Sequence, residues 1–212
     1  GKPLEYITQI AKAQGKATGV ITTVQLSHAT PATFAAQNLS RKNMTAIAAD
    51  MLTNGNVDLL MGTGHPEYDG NGVSVTGLDA SACAANSACK TPYDTIGQTE
   101  WTALKAGTLT PKGATSPWTL IDTKSSFEAL AAGKLSVTGP LVGIPRVRWT
   151  LQQGREAAVL GADSKQPSGI KLISSVPDLA TMTSGALNHL GKNAKGLFLM
   201  VEGGATDWAA HA

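Results

Sequence analysis

With 212 residues, the chain is long enough for one large domain or a piece of a bigger protein, and its 42% hydrophobic content is ordinary for a globular chain. A formal charge of +2 from 17 basic and 15 acidic residues, with no Lys/Arg run, excludes the electrostatic footprint of a nucleic-acid binder. Apolar runs such as "GLFLMV" fall far short of the ~20 residues needed to span a bilayer, and no basic head with an apolar stretch opens the chain as a signal peptide would.

In chain order, "PLEYITQIAKAQG" places Leu4, Ile7, Ile10 and Ala11 at helical spacing and stops at Gly15. "TGVITTVQLS" follows as a buried strand. "HATPATFAAQNLSRKNMTAIAADML" then reads as an Ala-rich helix with Thr30 and Pro31 at its start. "NVDLLMGTG" is a second strand ending in a glycine turn. Near the far end, "VPDLATMTSGALNHLGKN" is an amphipathic helix with Leu179, Met182, Ala186, Leu187 and Leu190 on one side, and "AKGLFLMVEGG" is a third strand. This alternation predicts an α/β fold, a three-layer sandwich with a mostly parallel central sheet.

Between residues 63 and 117 the texture changes to Gly, Ser, Thr, Asp and Asn, with strand-like pieces such as "GVSVTG" and one helical stretch, "TEWTALKAG". The segment reads as an insertion or elaborated loop region of a single domain that takes in residues 1–212. "DGNG" at Asp69 to Gly72 is turn chemistry and lacks the acidic ligands of an EF-hand. Cys83 and Cys89 are spaced to close a short disulfide, which fits an oxidising compartment; a zinc pair is the rival reading, with no further Cys or His nearby to complete it.

The chain closes on "VEGGATDWAAHA". Glu202 ends the third strand, and Asp207 and His211, spaced i,i+4, share a face once a helix has started. A carboxylate and an imidazole one turn apart can offer two ligands to a zinc-like ion. A solvated helix start with Asp207 as its cap is the plainer alternative.

Taken together, "VQLSHATPATFAAQNLSRKN" and "FLMVEGGATDWAAHA" resemble the alkaline phosphatase family, in which an acid-or-His, Ala, Thr, Pro signature is followed by an arginine thirteen residues after its first member. Here that pair is His28 and Arg41. The resemblance extends over roughly residues 1 to 62 and 119 to 212. It implies magnesium ligation by Thr30 and Glu202 and zinc ligation by Asp207 and His211. It also implies a phosphate-gripping role for Arg41, a task suited to a bidentate guanidinium. His28 and Trp208 fall where family members vary, and are expected to tune metal occupancy and phosphate release without binding metal directly.

The activity the resemblance implies is hydrolysis of phosphate monoesters, through a phosphoserine intermediate at a two-zinc, one-magnesium site, by a homodimer in the periplasm or outside the cell. The nucleophilic Asp-Ser motif is expected upstream of this chain and the remaining metal ligands downstream, so the expectation is an interior fragment, inactive alone. Asp163 and Ser164 in "ADSKQ" stand in the wrong order to supply the nucleophile. A non-catalytic relative that keeps a metal and anion pocket, or serves as a structural module, is the alternative.

Overall fold

The computed structural model describes residues 4–156 and 170–211, so Asp163 and Ser164 lie outside the described residues. Helix α1 (Ile7–Ala13) precedes strand β1 (Ala17–Gln25), with Gly15 supplying the left-handed turn between them at φ 76°. Two helices follow, α2 (Ala29–Thr33) and α3 (Met44–Thr53), and then β2 (Leu59–Thr63). The continuous helix expected after His28 is therefore broken. Between its two pieces, Asn38 accepts from the Ser40 backbone and from the Asn43 side chain, and Ser40 accepts from the Lys42 backbone. Short polar side chains that bond locally compete with a helical ladder. The helix also starts earlier than expected: His28 is the cap, and Thr30 and Pro31 fall inside the first turn, where a proline costs no hydrogen bond.

The middle region contains more helix than its composition suggested: α4 (Ala80–Ala85), α5 (Ser87–Lys90) and α6 (Gln98–Lys105). "GVSVTG" forms no strand, only an isolated antiparallel bridge between Tyr68 and Ser74. Asp69 organises "DGNG" as a turn, its carboxylate accepting from the Asn71 and Val73 backbone at 2.8 and 2.9 Å. Cys83 and Cys89 are joined, their Cα atoms 5.2 Å apart. Buried Arg148 pairs with Asp94 at 2.7 Å and donates to the Ala88 carbonyl, which ties this region to the rest of the chain.

Strand β3 (Thr119–Ile121), helix α7 (Lys124–Ala131) and strand β4 (Leu141–Gly143) come next, then helix α8 (Leu179–Leu190), strand β5 (Leu197–Glu202) and helix α9 (Ala205–Ala210). Strands β3 and β4 are three residues long, too short to show a periodicity. Asp178 caps α8 by accepting from Thr181 at 2.7 Å, and Met182, Ala186 and Leu190 form its buried stripe.

The described strands form one all-parallel sheet in the order β3-β4-β2-β1-β5. Alternate side chains sort onto its two faces. Val20, Leu60 and Val142 pack with Met51 and Leu52 of α3 and Trp101 and Leu104 of α6. Ile21, Leu59, Met61 and Leu141 pack with Phe127 of α7 and Met182 of α8. The result is the expected sandwich of helix, sheet and helix.

The crossover from β1 runs toward β2, whereas the chain from β4 passes to the opposite side of β1 to form β5. Right-handed crossovers in opposite directions place α3 and α8 on opposite faces. The carboxyl ends of β1 and β5 thus lie side by side, on the edge where open parallel sheets gather their functional groups.

Candidate functional site at the carboxyl ends of two adjacent strands

Two close approaches shape this edge. Leu26, just past β1, bonds to the Thr63 carbonyl and crosses the end of β2 so tightly that a Cβ at Gly62 would stand 2.8 Å from its Cα. Past β5, a Cβ at Gly204 would lie 2.9 Å from Glu202 Oε2 and from a Val24 methyl. The first approach directs the chain that carries His28; the second lets α9 begin directly above the strand ends. The Ala205 backbone donates to Thr23 Oγ1 at 3.1 Å, so β1 also anchors the start of α9.

His28 is the common neighbour of the groups gathered there. Arg41 Nη2 lies 3.2 Å from His28 Nε2, and because a guanidinium only donates, the imidazole nitrogen accepts. The Trp208 ring packs against the imidazole with centroids 5.5 Å apart. Burial and the Arg41 charge push the His28 pKa down, opposed by the negative charges of Glu202 and Asp207. One imidazole thus senses a guanidinium and two carboxylates from three separate segments.

Glu202 accepts a 2.6 Å hydrogen bond from Thr22, its register partner on β1. Asp207 lies in α9 and His211 caps its end, with Oδ1 and Nε2 3.4 Å apart and both side chains largely exposed, at 72% and 79%. Thr30 is exposed in the first turn of α2, and its carbonyl accepts from Thr33 Oγ1. Thr30 shares the β1–α2 connection with His28, but no contact joins its side chain to Glu202.

The alkaline phosphatase family profile matches residues 1–71 and 150–212. The chain belongs to the alkaline phosphatase family. Alkaline phosphatase 4 of Bacillus subtilis (strain 168) is 29% identical across the whole chain, which corresponds to 35% of that relative's length. The alkaline phosphatase of Escherichia coli (strain K12) is 32% identical over 97% of the chain and 43% of its own length. The chain therefore spans well under half of the curated relatives it matches.

Among solved structures, the cold-active alkaline phosphatase of a psychrophilic Shewanella superposes with a TM-score of 0.61 at 27% identity, over 99% of this chain and 37% of that one. A mutant of the TAB5 alkaline phosphatase, solved with Mg bound, shares the fold at a TM-score of 0.56 and 20% identity, over 99% of this chain and 45% of that one. The profile passes over residues 72–149, much of which is the compositionally distinct stretch.

Two residues at this alkaline phosphatase edge escaped sequence reading. Thr22 and Thr23 look like ordinary β-branched strand residues in "VITTVQ", yet Thr22 bonds Glu202 and Thr23 bonds the start of α9. The available signal was a pair of hydroxyls at the carboxyl end of a buried strand.

A second constellation, also missed, occupies the carboxyl ends of β2, β3 and β4. His65 is fully buried there, its Nδ1 accepting from the Glu67 backbone at 3.1 Å and its Nε2 3.6 Å from Asp122. Asp122 accepts from Arg146 at 3.0 Å, and Trp101 meets the His65 ring edge-on at 4.6 Å. Burial pushes the His65 pKa down, while the His65 and Arg146 N–H groups hold the Asp122 carboxyl below its usual range.

Proposed function

We propose that the chain forms part of a metal-dependent phosphomonoesterase and that the β1 and β5 ends contribute phosphate and metal contacts to its site. The observation that carries this is the gathering of Arg41, Glu202, Asp207 and Trp208 around His28, in a chain of this family. A phosphate monoester dianion needs a cationic cradle before a nucleophile can approach. Arg41 is exposed at the sheet edge and spends one donor on His28, leaving the rest of its planar fork for phosphate oxygens. His28, kept neutral beside it, fixes the guanidinium's position without competing for the anion.

The donor chemistry fits the expected metals. Glu202, already oriented by Thr22, and the Thr30 hydroxyl are oxygen donors of the kind magnesium takes. The Asp207 and His211 pair suits zinc. In this reading the chain supplies part of each set; no group of three or more His, Cys, Asp or Glu able to hold an ion occurs among the described residues. Bound ions of this kind would act as Lewis acids toward the phosphoryl and leaving oxygens. Magnesium in the TAB5 mutant supports that half of the reading.

The nucleophilic serine of a phosphoserine route would come from outside this chain, which alone should not turn over a chromogenic phosphate ester. We further propose an exported homodimer; the Cys83–Cys89 disulfide supports the oxidising compartment. The test of the site is Arg41→Ala in a full-length protein carrying this chain. Loss of one or two charge-assisted bonds, each worth about 1.5 to 3 kcal/mol, should weaken inhibition by inorganic phosphate at least ~10-fold, with lysine rescuing only in part. Unchanged phosphate inhibition in the alanine variant would refute the role of Arg41.

A further inference from the structure

Strand β1 loses its regular register with β2 between Ile21 and Gln25, and Thr22 sits at the start of that irregularity. Such breaks leave a backbone N–H without a ladder partner and often adjoin active sites. Here the Val24 N–H is taken up by Thr22 Oγ1 at 3.2 Å, inside the protein. The same hydroxyl lies 2.6 Å from Glu202 Oε2 on the neighbouring strand. A threonine hydroxyl has a single proton, and an ionised carboxylate can only accept. The Val24 amide therefore donates to Thr22, and Thr22 donates to Glu202. Hydrogen bonds in series polarise one another, and this one is fully buried at Thr22.

We propose that Thr22 is a positioning residue for magnesium: it pins one oxygen of Glu202 so that the other is presented to the ion in a single orientation. The inference rests on the assignment of Glu202 to the magnesium site made above. Two features argue that the contact serves orientation as well as stability. Glu202 is only half-buried, so its carboxylate could be solvated without this bond. Gly204 meanwhile leaves the space beside Oε2 open, where a Cβ would stand 2.9 Å from that oxygen, so the glycine accommodates the pinned arrangement. Partners that orient a metal-ligating group typically change metal affinity 10–100-fold when removed.

The test is magnesium titration by calorimetry of a zinc-loaded full-length protein, comparing wild type with Thr22→Val, Thr22→Ser and Glu202→Gln. Thr18→Val serves as the control. Thr18 is buried at the amino end of the same strand, where its hydroxyl donates to the Asn56 carbonyl at 3.0 Å, far from the site. The expected result is magnesium affinity weakened about 10–100-fold in Thr22→Val, near-wild-type affinity in Thr22→Ser, and unchanged affinity in Thr18→Val despite comparable destabilisation. Affinity in Thr22→Val equal to that of Thr18→Val would overturn the proposal, as would failure of Thr22→Ser to restore binding. Wild-type affinity in Glu202→Gln would instead overturn the assignment of Glu202, a different outcome from loss of the Thr22 effect alone. Should Thr22→Val fail to fold, Thr22→Ala and Thr22→Ser carry the same comparison.

Discussion

The carboxyl edge of this sheet carries two constellations built from the same kinds of side chain, and they are in opposite states. At β2, β3 and β4, His65 is fully buried against Trp101, with Asp122 and Arg146 paired beside it. At β1 and β5, His28 packs against Trp208 and Arg41, with Asp207 and His211 standing in solvent. The first set is turned inward and braces three strand ends, with His65 Nε2 3.6 Å from Asp122 and without a hydrogen bond of its own. The second leaves Arg41, Asp207 and His211 exposed to solvent, which is what the proposed site requires. Residue type alone does not distinguish the two; exposure to solvent does.

If that distinction is right, the two tryptophans should behave differently. Trp101 is almost fully buried and donates to Glu67, so Trp101→Ala should cost roughly 3–5 kcal/mol in urea unfolding. Trp208→Ala should cost about 1 kcal/mol or less, the worth of one aromatic contact, while changing phosphate inhibition of a full-length protein several-fold. Equal destabilisation by both would dissolve the comparison.

Gly62→Ala is expected to cost about 1–3 kcal/mol, because its Cβ meets the Leu26 backbone and not a movable side chain. The variant should also weaken phosphate binding by displacing the loop that carries His28. Destabilisation with phosphate affinity intact would show that the Leu26 crossing does not place His28.

A smaller effect is the pH dependence that the buried histidine gives to stability. His65 has its folded pKa below the ordinary value of 6.5, so the unfolded chain binds the extra proton. Its contribution is fully present above pH 6.5 and is lost as pH falls toward the folded pKa. Asp122, also depressed, adds a further loss below its ordinary value of 3.8. In His65→Gln, the fall in unfolding midpoint just below pH 6.5 should become shallower. The same slope as wild type would place the acid sensitivity elsewhere.

How much of this was legible depended on length and on locality. α8 and β5 were read correctly because twelve residues of helical period and a six-residue apolar run are unambiguous. β3 and β4 were missed because three residues carry no period, and their strand identity comes from pairing across the sheet. α2 and α3 were fused because "FAAQNLSRKN" has helix-forming residues, while the local bonds of Asn38 and Ser40 that stop the helix are visible only in three dimensions. Glu202, Asp207 and His211 stand out by position and spacing in one short segment, whereas His28 and Arg41 were named only through the resemblance to the alkaline phosphatase family. That His28 touches the segment of Trp208 could not be read from sequence, since residues 28 and 208 meet only through the parallel pairing of β1 with β5. Thr22 stayed hidden for the same reason: nothing local separates it from any other strand threonine.

The division of the β1 and β5 edge into two metal positions is the central claim, and metal analysis of purified full-length variants tests it most directly. In His211→Ala, zinc should be lost with nearly all activity while magnesium is largely retained, because removing an imidazole deprives the borderline-soft ion of its preferred donor. Glu202→Ala should lose magnesium first and keep zinc. Identical loss of both ions from each variant, in protein shown to be folded, would contradict the division, and retention of both ions would contradict the site itself.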